Sequence, residues 1–329
     1  MLIFAVPNPF AVMLFAFALD LAFGDMKLLF RFLPHPMVLA GRAIVWFDKR
    51  LNRIARSDQS RRARGIATVL VMAAVAAALG WIIKQYLGVV HFGWLAEAFL
   101  VAILISQRGL FERTSAIGRA QQQGGLAAGR AAVATRTDVD PESLDEHGVL
   151  RVAIESLFEN FSDGVVAPLF WYALFGLPGI FVSTTAAMLD TMLGHRSARY
   201  LHFGWAAARF DDLLNWIPAR VTALLIAVAA LVLPETKFFA AFRTMIADAG
   251  KHRSFNNGWP DAAAAGALGI ALGGPRRHGG MTANAAWIGQ GRARVTFTDF
   301  AAALKLYLSA VIMLALSLLI AAACWWQWF

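Results

Sequence analysis

The stretch Glu155-Ser-Leu-Phe-Glu159-Asn160-Phe-Ser162-Asp163-Gly164-Val-Val-Ala-Pro168-Leu-Phe-Trp171-Tyr172 runs from a row of acids straight into an apolar segment. Read as a helix, it places Glu155, Glu159 and Asp163 at i, i+4 and i+8, on one slowly drifting face. Like charges at that spacing repel, and no Lys or Arg lies between them. Such a row at the foot of an apolar helix suits the binding of a metal, an ammonium group or an amine. It describes a solvated face just outside a bilayer equally well. Onward, 164–189 is apolar but interrupted by Pro168, Pro178 and Gly179. That segment is expected to be kinked, or broken into a re-entrant pair.

The composition agrees with a membrane setting. Hydrophobic residues make up 59% of the 329 positions and charged residues 16%, against roughly 45–50% and 25% in soluble domains. The chain reads as an all-α polytopic membrane protein with about five to six transmembrane helices of about 20 residues each. Candidate spans are 5–23, 66–83, 89–105, 164–189, 217–233 and 306–326, within a single membrane domain covering 1–329. Trp205, Trp216, Trp325 and Trp328 lie near apolar boundaries, where aromatic belts form. Polar regions fill 27–64, 107–163, 190–216 and 235–299. Within the first of these, Lys27 to Arg64 carries ten Lys/Arg against Asp48 and Asp58 alone, which marks a cytoplasmic juxtamembrane segment. Simple alternation then places 190–216 on the opposite side from the other polar regions. If all of them build one site, the Pro-interrupted segment does not cross once.

Several chemistries are excluded. The charge of +9 has no aromatic platform beside its basic cluster, so no nucleic-acid partner is expected. Cys324 is the only cysteine, which rules out an intrachain disulfide and a cysteine zinc site. The N-terminus has no basic n-region and carries Asp20 in its apolar run, so it reads as a first span and not as a cleaved signal. There is no P-loop, no GxGxxG after a strand, no HExxH and no GxSxG. Any nucleotide chemistry must use another kind of pocket.

Five segments can carry chemistry. Asp20, Asp25 and His35 flank the exit of the first span, and an acid inside a span is a functional candidate. In Asp190-Thr-Met-Leu-Gly194-His195-Arg196-Ser-Ala-Arg199-Tyr200, the His and two Arg can clamp a phosphate or carboxylate. In Arg209-Phe210-Asp211-Asp212, the paired acids can hold Mg²⁺ beside phosphate oxygens. Lys251-His252-Arg253-Ser254-Phe-Asn256-Asn257-Gly258-Trp259-Pro260-Asp261 is a tight cationic turn suited to an anion, and Gly273-Gly274-Pro275-Arg276-Arg277-His278-Gly279-Gly280 is a second, flexible one. The alternative for these segments is interfacial ion pairing or plain connection.

Taken in order, these blocks resemble the CobD/CbiB family, the adenosylcobinamide-phosphate synthases of cobalamin biosynthesis. The likeness covers nearly the whole chain. It runs from Asp20…Gly24-Asp25…Pro34-His35-Pro36 through Glu155…Glu159-Asn160…Asp163-Gly164 and Asp190…Gly194-His195-Arg196…Arg199-Tyr200. It continues through Phe203-Gly204-Trp205…Arg209…Asp211-Asp212…Asn215 and His252-Arg253-Ser254…Asn256…Gly258-Trp259-Pro260-Asp261 to Trp287…Gly289…Gly291. The resemblance implies an amide ligase in the bacterial inner membrane. It joins adenosylcobyric acid to (R)-1-aminopropan-2-ol or its O-phosphate, using ATP and Mg²⁺, with a corrinoid substrate and no bound prosthetic group. Expected partners are the lipid bilayer, those substrates and other late cobalamin-pathway membrane enzymes. A carboxylate must be activated, as an acyl phosphate, before an amine attacks it, which calls for cations and Mg²⁺ around a phosphoryl group and for a proton acceptor. Glu155, Glu159, Asp163, His35 and His252 are the expected catalytic residues. Asn160, Arg196, Arg199, Arg209, Lys251, Arg253 and Asn256 are expected to bind substrate and phosphate, and Asp25, Asp163, Asp190, Asp211 and Asp212 to bind metal.

Three departures from the family pattern stand out. Upstream of Asp190 the family usually reads Lys-Ala-x-Asn-Thr-x-Asp, but here Thr184 and Ala187 replace the Lys and the Asn. Between Arg196 and Arg199, where polar residues are common, stand Ser197 and Ala198. Met26 stands where Pro is usual after Gly-Asp. These changes open a second reading, a noncatalytic or regulatory paralogue similar to the AmpE branch. Intramembrane acids and broken spans also allow a transporter.

Overall fold

The computed structural model describes residues 8–26, 29–32, 34–134, 139–195, 197–278, 281–283 and 285–328. Thirteen helices follow one another among these residues: α1 (Pro9–Phe23), α2 (Pro36–Leu51), α3 (Asp58–Val89), α4 (Gly93–Leu104), α5 (Gln107–Ala134), α6 (Glu146–Phe161), α7 (Ala167–Phe175), α8 (Leu177–Leu193), α9 (Trp205–Leu214), α10 (Trp216–Ala229), α11 (Phe238–Asp248), α12 (Gly258–Leu268) and α13 (Phe297–Trp328). Four short strands precede α13: β1 (Leu272–Gly273), β2 (Arg276–His278), β3 (Met281–Ala283) and β4 (Trp287–Ile288). They form two antiparallel pairs, β1 with β4 and β2 with β3. The expected all-α class holds.

Asp58–Val89, Gly93–Ala134 and Phe297–Trp325 are long and apolar enough to cross a bilayer, and Trp205–Leu214 with Trp216–Ala229 adds a fourth if that bent pair is one span. The expected spans around α1 and α8 are apolar but have 15 and 17 described helical residues, short of about 20. The start of the first expected span, 5–7, lies outside the described residues. Along α3, Leu70, Val71, Val75, Leu79, Trp81 and Ile82 are exposed. An uncovered apolar face of that length suits hydrocarbon and not water.

The chain divides into two compact units, each assembled from separated segments. The first comprises 1–106, 167–215 and 318–329. In it α3 packs on α8 and α9, and α1 packs on α4. Ile44, Val69, Met72, Leu189, Leu193 and Phe203 form its buried cluster. Close approach depends on small residues: a Cβ at Gly80 would strike the backbone of Leu177 and Pro178. The Pro-interrupted segment is broken at Gly176, whose φ of 65° is open to glycine. Its halves α7 and α8 pack against each other, with Gly179 seated on the Trp171 carbonyl.

The second unit comprises 107–166 and 216–317. There α5 packs on α6, and α10, α11 and α12 pack together. The Gly/Ala-rich stretch that is too weakly apolar for a span forms α12, whose Ala262 to Ala265 are fully buried in protein. Tyr307 on α13 donates its hydroxyl to the Gln107 carbonyl at 2.7 Å and meets Phe161 edge-on, with ring centroids 5.2 Å apart.

Candidate functional site

The acidic row divides as soon as it is folded. α6 starts cleanly, because Asp145 accepts the Gly148 N–H at 2.6 Å. It carries Glu155 and Glu159 one turn apart but ends at Phe161, and a π-helical turn follows over Ser162–Val166. That turn shifts Asp163 out of the regular i+8 register, and π turns recur at functional sites. Glu155 is buried and accepts the Gly273 N–H at 2.6 Å, so its carboxylate anchors a glycine turn. The exposed Asn160 bonds within its own helix, to the Ser156 carbonyl at 2.7 Å.

Glu159 faces elsewhere. Its Oε1 lies 3.8 Å from His252 Nε2, and one ligand atom each of Glu159, His252 and Asp261 lie within 4.8 Å of one another. Asp261 is 1% exposed, in the first turn of α12, where an acid suits the helix dipole. Gly258 makes the approach possible, because a Cβ there would meet the Ala249 carbonyl and the His252 side chain. His252 Nδ1 lies 3.0 Å from the Ser254 N–H and 3.3 Å from the Ser254 carbonyl, so either neutral tautomer finds a backbone partner.

The cations of this loop are not equivalent. Lys251 pairs with buried Asp248 at 2.6 Å, and Asp248 also accepts the Gly289 N–H at 2.8 Å. Burial pushes the Asp248 carboxyl up, but the bonds from Lys251, Gly289 and Gln290 and the Lys251 charge outweigh it and hold it below the usual range. Arg253 is exposed and Asn256 is buried. The second cationic turn reaches Gly279 and Gly280, outside the described residues.

In the first unit His35 caps α2. Its Nδ1 accepts the Met37 N–H at 3.1 Å, which leaves Nε2–H to donate to the Ile103 carbonyl at 3.1 Å. Both ring nitrogens are thus committed to backbone, contrary to the expected proton-accepting role. Burial pushes this imidazole's pKa down, against the Ile103 bond and the nearby Asp25 charge. Met26 adopts a φ of 44°, closed to the proline that the family pattern leads one to expect.

Asp190, Asp211 and Asp212 lie within electrostatic reach of one another, with His195 also near Asp190. Asn215 donates to Asp211 Oδ2 at 3.0 Å, and Arg209 donates to Asp212 Oδ2 at 3.0 Å. Asp211 Oδ1 is buried and has no hydrogen-bond partner among the described residues. Gly194 is needed here, because a Cβ would collide with the Asp190 carboxylate. Buried Thr184 returns its hydroxyl to the Ile180 carbonyl at 2.8 Å. The missing Lys is therefore replaced by a neutral, self-satisfied side chain. Arg196 lies outside the described residues.

Arg199 is already paired. It donates to Asp48 Oδ2 at 2.7 Å, and that bond raises its guanidinium pKa. Asp48 also accepts from Asn52 at 2.8 Å and from the Tyr200 hydroxyl at 3.3 Å. Buried Arg61 donates to Asn52 Oδ1 at 3.2 Å and to the Ala198 and Arg199 carbonyls. This polar knot bolts the 197–200 turn to α2 and α3. Sequence reading passed over Asp48, Asn52 and Arg61, and gave Asp261 no role. The one available signal was Asp48, one of two acids in a stretch of ten cations.

The family described as CobD/Cbib protein matches residues 13–307. A cobalamin biosynthesis protein CobD from Sinorhizobium sp is 43% identical over 92% of this chain and 95% of its own length. The like-named protein of Brucella melitensis is 40% identical over 95% of this chain and 96% of its own, and that of Rhodobacter capsulatus 37% over 96% and 98%. No solved structure matches. A family match over residues 13–307, with relatives 37% to 43% identical over nearly the whole of both chains, makes this chain a member of the CobD/CbiB family of cobalamin biosynthesis proteins.

Proposed function

We propose that this protein forms an amide between adenosylcobyric acid and (R)-1-aminopropan-2-ol or its O-phosphate at the expense of ATP, acting as a multi-pass protein of the bacterial inner membrane. A substrate carboxylate oxygen attacks the γ-phosphorus of ATP and ADP departs, leaving an acyl phosphate. The amine nitrogen then attacks the acyl carbon, a proton leaves the nitrogen, and inorganic phosphate is released. The observation that carries the reading is the Asp190–Asp211–Asp212 group with its buried, unpartnered Asp211 oxygen. A carboxylate oxygen in that state calls for a cation. Mg²⁺, a hard cation that takes one or two carboxylates and phosphate oxygens, fits this oxygen-only set and would neutralise charge on a phosphoryl group. The resemblance also gives Asp163 and exposed Arg253, both in the second unit, catalytic and phosphate-binding roles. Lys251, Arg199 and Arg209 serve their carboxylate partners.

A second reading rests on Thr184 and Ala187. In that reading, a chain without the family's Lys and Asn is a noncatalytic, AmpE-like regulator. Complementation of a cobinamide-forming mutant separates the two. The synthase reading expects growth restored by the wild type and lost with Asp211→Asn or Asp163→Asn at unchanged membrane levels. Failure of the wild type at normal levels overturns it.

A further inference from the structure

One face of α2 packs on protein and the other is uncovered. Ile44 and Asp48 are buried, and a Cβ on Gly41 would touch the sulfurs of Met188 and Met192 on α8. The exposed residues of the helix are Val38, Leu39, Arg42, Val45, Trp46, Lys49 and Arg50. Their spacing keeps them within an arc of about 140° at about 100° per residue. No acid lies in that arc, because Asp48 points inward and accepts from Arg199 at 2.7 Å. Among the described residues Arg42, Lys49 and Arg53 have no acidic partner, and Arg50 stands over Trp46, 5.9 Å from the ring centroid.

This mixture fits neither water nor hydrocarbon. Trp46 is 55% exposed and Ile54, in the corner after α2, 72%, which is a poor surface for water. Arginine and lysine without counter-charges are costly among acyl chains. A headgroup layer takes both kinds: aromatic and aliphatic groups sink below the phosphates, and cations rise to them. The start of α3 marks the same level. Arg62 lies 3.7 Å from the ring centroid of the part-exposed Trp205, and one turn further on the uncovered apolar face of the span opens at Ile66. With 16 residues, α2 is too short to cross a bilayer. A second copy of the chain would set the same cations against these, and like charges repel.

We propose that the outward face of α2, with the corner that leads into α3, is a docking surface for anionic phospholipid headgroups. Val38, Leu39, Val45 and Trp46 dip beneath the phosphates of the leaflet, and Arg42, Lys49, Arg50 and Arg53 bind them. Four cations with no acid among them favour lipids of net negative charge over zwitterionic ones. The proposal rests on the membrane setting given above and not on the amide-forming chemistry.

The test uses the full chain carrying Cys324→Ser, reconstituted into vesicles of phosphatidylcholine mixed equally with phosphatidylglycerol. Nitroxides are attached one at a time at Leu39→Cys, Val45→Cys and, as a reference on the span, Leu70→Cys. Power saturation compares the access of oxygen, which concentrates in hydrocarbon, with that of a water-soluble nickel chelate. The labels at Leu39 and Val45 should favour oxygen, as the Leu70 label does. Spin-labelled phosphatidylglycerol should associate with the protein at least about twofold more strongly than spin-labelled phosphatidylcholine. Raised salt, or Arg42→Gln, Lys49→Gln, Arg50→Gln and Arg53→Gln together, should remove most of that preference. Nickel-favouring labels at Leu39 and Val45 beside an oxygen-favouring Leu70 put the face in water and overturn the proposal, leaving the membrane reading intact. A nickel-favouring Leu70 removes both. An absent preference, or one equal in the parent protein and the quadruple variant, overturns the headgroup contact.

Discussion

The carboxylate of Glu155 accepts the backbone N–H of Gly273 across 2.6 Å, tying the middle of α6 to the end of β1, the strand that pairs with β4. Gly273 and Gly274 have φ of 74° and 83°, so the turn depends on glycine and on this anchor. Glu155→Ala should leave a part-buried N–H unsatisfied and lower stability by about 1–3 kcal/mol. Glu155→Gln keeps an acceptor oxygen and should cost less. Hydrogen exchange at the Gly273 amide reads the effect directly, and unchanged protection in Glu155→Ala would contradict the anchoring role.

His35 should behave as a cap. His35→Asn retains a side-chain acceptor for the first turn of α2 and should sustain cobalamin synthesis. His35→Ala should lower stability by about 1 kcal/mol. Loss of product in a well-folded His35→Asn protein would return His35 to the chemistry.

The Lys251–Asp248 pair predicts a pH dependence of stability. The folded Asp248 carboxyl titrates below its unfolded counterpart. Its contribution is therefore fully present above the ordinary aspartate range and is lost as pH falls through that range toward the folded value. Lys251→Met removes one cause of the shift. Its melting temperature should lie below the wild type's near pH 7, and the gap should close on acidification. A gap that is constant across the titration would refute the linkage.

Met26 tests a departure from the family pattern. At φ 44° it occupies a region proline cannot reach, so Met26→Pro should destabilise by more than about 1 kcal/mol, while Met26→Gly should be neutral or better. Denaturant midpoints of the two variants decide it. Equal midpoints would mean that the turn rearranges freely.

Much of the architecture was legible along the chain. Apolar length located α3 and α13, the Pro-rich interruption foretold the break between α7 and α8, and weak hydropathy left α12 out of the candidate spans. The acidic row was legible as residue types but not as a single site. Its i, i+4, i+8 spacing assumed an unbroken α-helix, but a π turn begins at Ser162, and even on α6 Glu155 and Glu159 meet different partners, Gly273 and His252. Cations proposed for phosphate proved to be partly occupied. Arg199, Arg209 and Lys251 are paired with Asp48, Asp212 and Asp248.

By itself, then, the sequence determined the helical class, the family and which residue types can do chemistry, because hydropathy, spacing and ordered motifs are local or colinear properties. Only the tertiary structure decided that His35 is a cap, that Glu155 holds a glycine turn, and that Glu159 meets His252 and Asp261 about a hundred residues further along the chain. Those assignments depend on where a side chain's few polar atoms find partners once water is excluded, and that is set by which segments pack together rather than by how they are spaced.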